Sequence, residues 1–554
     1  MNARLRVGPR MGLRVGLRVA AICLLLSALA GLVLLVVRPS LNPAHVRPLP
    51  LIALGWIVFL TAAFLLRKVP VRLAVALILL GGIGIQIAAV SAPARQSDDL
   101  YRYVWDGQVQ AAGIDPYAYV PAAAQLDSLR DGFLWHRGAD HCLSGSFVSA
   151  HASADLVSGC TLINRPSVPT IYPPVAEAYF LAVHYEPSGS SSTTPIQATT
   201  AFIAVLTTVL LLFGLGRLGR DVRTAALWSW CPTVALEAGN SAHVDVVAVG
   251  IAAAALLVLA GARSRLSTVF GGVLLGLAIA TKVTPALVVP AVLRRRWMTV
   301  VVSAASAFVV VYVPHVLAVG SKVIGFLPGY LQQEGYDNGT RFGIIGLVLT
   351  GKLALAMAVL ILAAAAFAVL QFSDPNRPWE GAVFMTAAAL AVTTPRYQWY
   401  ALLLVMLVAL DGRPEWLAFA AGAYYAAEPQ LGRYTIPNRL HDAVAYGVPV
   451  AVVAMGWLVR EFIRRRGGVG LEPVPVPMPV GTAVAGGPAG TAVPIGTAMA
   501  ARSAFAAPIT VTAAASAVAP VSAAAPVSAA AAAAASDEDS LPAGIGAFLP
   551  LGYP

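Results

Sequence analysis

Long apolar segments recur along this chain as far as about residue 466, and they constrain the fold more than any other feature. A helix needs about 20 apolar residues to cross the hydrocarbon core of a bilayer. Only 11% of the 554 residues are charged, whereas a soluble globular protein carries roughly 25%. Within lipid, backbone polar groups must be satisfied inside each segment, which favours helices. The sequence therefore predicts an all-α polytopic membrane protein with about 11–13 membrane helices.

Basic residues mark one side of the predicted membrane domain. They cluster in turns between apolar segments, as in cytoplasmic loops. The clusters are Arg4 to Arg18, Arg67 to Arg72, Arg217 to Arg223, Arg294 to Arg296 and Arg464 to Arg466. They predict a multi-pass cell-membrane protein with both termini in the cytoplasm, and the Ala- and Gly-rich composition suggests a bacterium. Because these anchors explain the net charge of +11, we expect no nucleic-acid partner.

The composition divides the chain into three parts. Residues 1–18 form a basic cytoplasmic N-terminus, and residues 19–466 form the membrane domain, with outer loops near 91–170 and 320–341. The first apolar run exceeds the roughly 7–15 residues of a signal-peptide core, so we interpret it as an uncleaved span. Residues 467–554 are rich in Ala, Pro and Gly, which predicts a disordered cytoplasmic tail.

The four cysteines differ in their surroundings. Cys23 and Cys231 lie in apolar runs and are expected to be inert packing residues. Cys142 and Cys160 lie in the first outer loop, where an oxidising compartment would let them form a disulfide. Two free thiols are the alternative.

The first long polar interruption is SDDLYRYVWDGQVQAAGIDPYAYVP, from Ser97 to Pro121. Two adjacent carboxylates, Asp98 and Asp99, stand at its start. A carboxylate that is partly desolvated at a membrane boundary can serve as a general base. A helix cap or a solvated turn is the simpler alternative. Four neighbours are candidate substrate contacts: Tyr101, Arg102, Trp105 and Asp106.

Other candidate substrate contacts lie at later predicted membrane boundaries. Tyr172 falls in NRPSVPTIYPP, which could also be a rigid return into the membrane. Asn240, His243 and Asp245 fall in ALEAGNSAHVD, and polar residues at such depth are functional candidates. Lys282 stands alone in an apolar run, where it could snorkel or meet a lipid phosphate.

The segment TTPRYQWY supplies two more candidates, Arg396 and Tyr400. Arg396 could hold a phosphate through paired N–H donors. Trp399 and Tyr400 also fit an aromatic belt at the membrane surface, which is the favoured interpretation of these two rings. The second outer loop could close over a substrate or remain an ordinary solvated loop.

Neither a metal nor a nucleotide site is indicated by the sequence. His243 and Asp245 could bind a metal, but without a third ligand they do not specify one. A divalent metal is therefore conceivable, and no cofactor is required. The chain contains no Walker A loop, Rossmann fingerprint, HExxH or CxxC motif, which argues against a nucleotide-driven pump.

The order of these motifs resembles a known class of membrane enzymes. It is similar to that of bacterial membrane glycosyltransferases of the GT-C class. The motifs that carry the similarity are, in order, SDDLYRYVWDG with a following G-x-D-P-Y, TIYPP, N-x-x-H-x-D, ATKVTP followed by RRR, and PRYQWY. The resemblance spans Ala20 to Arg466 and is closest to polyprenyl-phosphate-mannose-dependent mannosyltransferases of the glycosyltransferase family 87 type. It implies a GT-C-like helical bundle with an active site at the outer membrane face.

The resemblance also implies a reaction. A hexose, with mannose as the first choice, would pass with inversion from a polyprenyl-phosphate donor to a glycan or glycolipid acceptor. The essential acid of the family matches the Asp98–Asp99 pair, and Asp99 fits the acid that precedes the hydrophobic-Tyr-x-Tyr pattern. One departure is that this loop follows the third span, whereas many members place it after the first.

Two other functions remain as alternatives. A flippase or transporter of lipid-linked sugars should place its polar groups deep in the bundle, often in repeated halves. A polymerase of lipid-linked sugars usually has its large outer loop late in the chain, whereas the large loop here comes early.

Overall fold

The computed structural model describes residues 9–42, 46–136, 147–148, 160–427 and 438–467. The chain separates into two units, 1–467 and 468–554, and the fold given below is that of the first. The tail predicted to be disordered lies, from residue 468 onward, outside the described residues, as do the first eight residues of the predicted basic N-terminus.

Helices make up most of the described chain. They are α1 (Pro9–Val37), α2 (Pro48–Leu66), α3 (Val71–Val90), α4 (Asp99–Ala111), α5 (Pro174–His184), α6 (Thr194–Arg217), α7 (Ala226–Ser229), α8 (Pro232–Val234), α9 (Asp245–Ala260), α10 (Arg265–Ile279), α11 (Val289–Val292), α12 (Trp297–Val319), α13 (Leu327–Gln333), α14 (Gly351–Phe372), α15 (Pro378–Thr393), α16 (Leu402–Asp411), α17 (Ala418–Ala427) and α18 (Asn438–Gly467).

Seven helical segments of the described chain are long and apolar enough to cross a membrane. They are Leu13–Val37, Pro48–Leu66, Val71–Val90, Thr194–Arg217, Trp297–Gln333, Gly351–Phe372 and Leu440–Arg465. Three shorter apolar helices accompany them, at Asp245–Ala260, Arg265–Ile279 and Gln398–Asp411. The prediction of an all-α polytopic membrane protein is therefore confirmed.

A small sheet lies in the polar region between α4 and α5. Its strands are β1 (Trp135–His136), β2 (Phe147–Val148) and β3 (Cys160–Thr161). β3 lies in the middle and pairs antiparallel with both neighbours. Cys160 is disulfide-bonded, but its predicted partner Cys142 lies outside the described residues, so the Cys142–Cys160 pairing stays a prediction.

Helix α4 forms because its apolar residues fall on one face. Leu100, Tyr103, Val104 and Gly107 follow helical spacing and are all buried, as expected for an amphipathic helix against a core. The Tyr103 ring stacks on Phe180 of α5, with ring centroids 4.4 Å apart. This packing fixes the N-terminus of α4, where Asp98 and Asp99 lie.

The segment between α7 and α9 is broken rather than continuous. Pro232 begins the three-residue α8, and its ring and missing N–H prevent an uninterrupted helix. Residues Ala235–Asn240 then form a π-helical turn, a feature often found at functional sites. Residues 225–246 are all buried, so this irregular backbone is covered by protein, as membrane depth requires.

Helices α10 and α12 approach closely through small residues. A Cβ at Gly276 would collide with the backbone carbonyl oxygen of Ala304 on α12. Such small-residue contacts let membrane helices pack backbone to backbone. The contact fixes α10, which leads to Lys282.

We expect Gly276→Ala to lower the thermal unfolding midpoint of the detergent-purified protein, since overpacking of this kind costs typically about 1–3 kcal/mol. Gly84→Ala in α3 is the matched control, because nothing lies within 4 Å of a Cβ there, so its midpoint should stay or rise. Equal midpoints for the two variants would contradict the close approach of α10 and α12.

Candidate active site

Two adjacent carboxylates at the start of α4 are bridged by one amide. The Asn164 side-chain nitrogen donates to Asp98 Oδ1 at 2.8 Å and to Asp99 Oδ1 at 2.7 Å. An amide NH₂ has two donor hydrogens, so a single side chain binds both acids. Each carboxylate thereby has one oxygen oriented, and like charges that would repel each other are held together.

The second oxygen of Asp99 faces the centre of the site. Asp99 Oδ2 accepts a 3.5 Å hydrogen bond from the Tyr172 hydroxyl and lies 3.9 Å from His243 Nδ1. The Asp99 side chain is 22% exposed, whereas the His243 side chain is fully buried. Asp99 is therefore the accessible edge of an otherwise buried polar cluster.

Asp98 differs from Asp99 in its electrostatics. Burial raises the pKa of the Asp98 carboxyl, and the adjacent charge of Asp99 raises it further. The hydrogen bond from Asn164 acts in the opposite direction and lowers this pKa, since it stabilises the charged form. Asn164 thus favours ionisation at a position where burial opposes it.

His243 is held by the turn that follows the π-helical segment. Its backbone N–H donates to the Glu237 carbonyl at 2.8 Å, and Ala242 before it adopts a left-handed φ of 54°. The imidazole stacks on the Trp399 ring at 3.9 Å. The His243 side chain is fully buried.

A second acid lies on the far side of His243. Its Nε2 is 3.4 Å from Glu237 Oε2, and Glu237 Oε1 accepts a 2.8 Å hydrogen bond from the Tyr424 hydroxyl. The imidazole thus stands between two carboxyl groups, those of Asp99 and Glu237. Its stacking on Trp399 and the backbone turn hold the ring beside the Asp99 oxygen.

Lys282 is the cation of the site, and it is paired with an acid. Lys282 Nζ lies 3.1 Å from Asp245 Oδ2 and 5.1 Å from the centre of the Tyr172 ring. Asp245 is the first residue of α9 and Lys282 follows the end of α10. The predicted lone lysine is therefore paired, and Tyr172 connects it to Asp99.

Residues from the second predicted outer loop and from the TTPRYQWY segment form another wall of the candidate site. Glu334 binds Arg341 at 2.5 Å and accepts a 3.2 Å hydrogen bond from the Tyr397 hydroxyl. The hydroxyls of Tyr330 and Tyr400 are 2.6 Å apart. The second predicted outer loop and the TTPRYQWY segment therefore meet. Trp399, which the sequence favoured as a belt residue, is mostly buried against His243.

Several predicted substrate contacts have other partners. Trp105 is 1% exposed and packs on Trp135, while Tyr101 contacts the Phe133 ring. Arg102 and Asp106 form a buried 2.9 Å ion pair within α4.

Asn240 and Arg396, which are also predicted substrate contacts, bind other groups of the chain. Asn240 donates to the carbonyls of Ala89, Ala92 and Pro93 at 3.1 Å, which ties the end of α3 to the π-helical turn. Arg396 pairs with Asp442 at 3.0 Å.

Asn164 is the residue that sequence reasoning missed. It begins the NRPSVPTIYPP segment, and its only signal in the sequence is that position beside a proline-rich return. Within the described residues, no three His, Cys, Asp or Glu side chains are placed to hold a metal ion.

Comparison with known proteins identifies the class of this chain. Residues 170–395 match the model of glycosyltransferase family 87, and neither a curated protein nor a solved structure matches. The matched segment contains Tyr172, His243, Asp245 and Lys282, whereas the Asp98–Asp99 pair precedes it. The match of residues 170–395 to glycosyltransferase family 87, together with the membrane helices, supports a membrane glycosyltransferase.

Proposed function

We propose that the protein transfers a hexose, with mannose as the first candidate, from a polyprenyl-phosphate donor to a glycan or glycolipid acceptor. The transfer inverts the anomeric centre, and Asp99 is the general base. The reaction takes place at the outer face of a bacterial plasma membrane, with both termini in the cytoplasm. No metal is required in this proposal.

The asymmetric environment of Asp99 is the observation that carries the proposal. Asn164 binds Oδ1 at 2.7 Å, while Oδ2 lies on the partly exposed side near Tyr172 and His243. A general base needs an oriented oxygen with a free lone pair within reach of the substrate. Asp99 has such an oxygen, and the ion pair of Lys282 lies beyond the Tyr172 ring.

The proposed step moves one proton and exchanges one bond. The acceptor hydroxyl oxygen attacks the anomeric carbon as Asp99 Oδ2 takes the hydroxyl proton. The bond between the anomeric carbon and the phosphate oxygen breaks, and its electron pair leaves with the lipid phosphate. Attack opposite the leaving group inverts the anomeric centre.

The leaving phosphate gains charge during this step and needs cations nearby. Lys282 Nζ lies 5.1 Å from the centre of the Tyr172 ring and is the first candidate for this role. Arg341, which is paired with Glu334, contributes from the other wall.

Asp99→Asn should lower transfer of radiolabelled mannose from polyprenyl-phosphate-mannose, measured in membranes that contain the protein. We expect a loss of about 10²–10⁴-fold, the usual contribution of a general base. Asp98→Asn is the matched control and should retain more activity, because Asp98 lacks the contacts with Tyr172 and His243. Robust transfer by both variants would overturn the mechanism. An inactive parent would refute mannose as the sugar and make a pentose donor the next trial.

Asn164→Ala should move the acidic limb of the pH–rate profile to higher pH. The amide donates to both carboxylates and lowers the pKa of Asp98. Its removal disfavours the charged forms, so the pair that includes the base Asp99 keeps a proton up to a higher pH. Activity should fall most at low pH and recover as pH rises. A uniform loss at every pH would contradict this electrostatic role and leave Asn164 a packing residue.

Lys282→Met should reduce kcat by roughly 10²-fold or more, as loss of a transition-state cation or donor does, whereas Lys282→Arg should retain more activity. The single variant leaves Asp245 without its partner, so the double variant Lys282→Met with Asp245→Asn tests the alternative of misfolding. Comparable activity in the double variant and the parent would exclude Lys282 as the phosphate cation.

A further inference from the structure

A polar cavity lies at the far ends of two helices, α9 and α10, that support the candidate active site. Helix α9 begins at Asp245, and α10 ends three residues before Lys282. A rise of 1.5 Å per residue makes the two helices about 22–24 Å long. The opposite ends of this pair, near Ala260 and Arg265, border the cavity, which is therefore separate from the site of transfer.

The cavity has a volume of about 420 Å³, within the range of roughly 300–1,000 Å³ typical of small-ligand sites. Arg263, Arg295 and Arg296 line it, together with the Thr268 hydroxyl. Leu259, Val292 and Val300 form apolar wall. The cavity thus combines several cations with apolar surface, and no carboxylate is among its lining residues.

These cations lack acidic partners. None of the ion pairs formed within the described ranges includes Arg263, Arg295 or Arg296. Arg296 instead donates to the Arg263 carbonyl at 3.1 Å and to Thr268 Oγ1 at 3.3 Å. The acids of the adjoining loop are engaged elsewhere: Asp374 accepts from Asn376, and Glu380 pairs with Arg377.

We propose that this cavity binds the phosphate of an anionic phospholipid headgroup. Guanidinium groups match phosphate oxygens in geometry and charge. Basic pockets between membrane helices are suited to anionic headgroups, and the apolar wall would accommodate the start of an acyl chain. Simple topological anchoring requires arginines in a turn but no cavity, so the cavity is what favours a bound ligand over anchoring alone.

Native mass spectrometry of the purified full-length protein, titrated with phosphatidylglycerol and separately with phosphatidylcholine, tests the proposal. The test variant is Arg263→Gln with Arg295→Gln, because neither side chain makes a bond that holds the fold together in the described contacts. The matched control is Lys68→Gln with Arg72→Gln, which removes the same charge from exposed positions just before and at the start of α3. Thermal unfolding midpoints establish that both variants are folded.

We expect phosphatidylglycerol to bind the parent and the control with equal affinity. In both proteins it should bind more tightly than phosphatidylcholine. The test variant should lose roughly tenfold to thirtyfold in affinity, given the contribution of each arginine near an anionic headgroup. Equal binding by the test variant, or an equal loss in the control, would overturn the site.

A second arm separates the two sources of phosphate. Inorganic phosphate is added at constant ionic strength, and the thermal midpoint is measured. Protection by inorganic phosphate without any binding of phosphatidylglycerol would overturn the lipid assignment and identify a soluble phosphate as the ligand. Binding of phosphatidylglycerol that is lost in the test variant supports the lipid.

Discussion

The polar side chains of the candidate site depend on a stretch of irregular backbone that is covered by protein rather than by lipid. An unsatisfied N–H or C=O group is costly in hydrocarbon, so helix breaks persist only where other parts of the chain cover and pair them. Residues 225–246 meet this condition because all of them are buried. Gln197 of α6 binds the carbonyls of Ala92 and Asn240 at 3.0 and 2.7 Å. Side-chain amides within the bundle thus replace lost helix bonds and allow Glu237 and His243 to sit there.

The balance of charge in the site follows from this arrangement. Acids outnumber cations near Tyr172, yet each acid has a partner: Asp98 and Asp99 share Asn164, and Asp245 pairs with Lys282. Burial would otherwise favour the neutral form of such acids. Hydrogen bonds and ion pairs therefore favour the charged form of these acids, whereas burial by itself would favour the neutral form. The Asp99 side chain is 22% exposed, whereas that of Asp245 is 3% exposed, which is one reason why the proposed chemistry is assigned to Asp99.

Helices α9 and α10 relate the two ends of the domain. One end carries Asp245 and Lys282, and the other borders the cavity of Arg263 and Arg295. Close contact with α12 at Gly276 fixes the position of α10. The proposed lipid site and the proposed transfer site therefore share a rigid support, although they are separated by the length of a helix.

The sequence by itself determined the class of fold, because long apolar segments with few charges leave helices as the practical way to satisfy backbone groups in lipid. It also singled out polar groups that meet in the candidate site, since Asp98, Asp99, His243, Asp245 and Lys282 stand out as polar residues at apolar boundaries. Only the tertiary structure decided which of them meet. The partner of the carboxylate pair, Asn164, is 65 residues from Asp99 along the chain. Asp442 pairs with Arg396, and Trp399 packs on His243, and neither contact was expected from the sequence. Pairings of this kind depend on how distant helices pack, and local polarity or spacing carries no record of them.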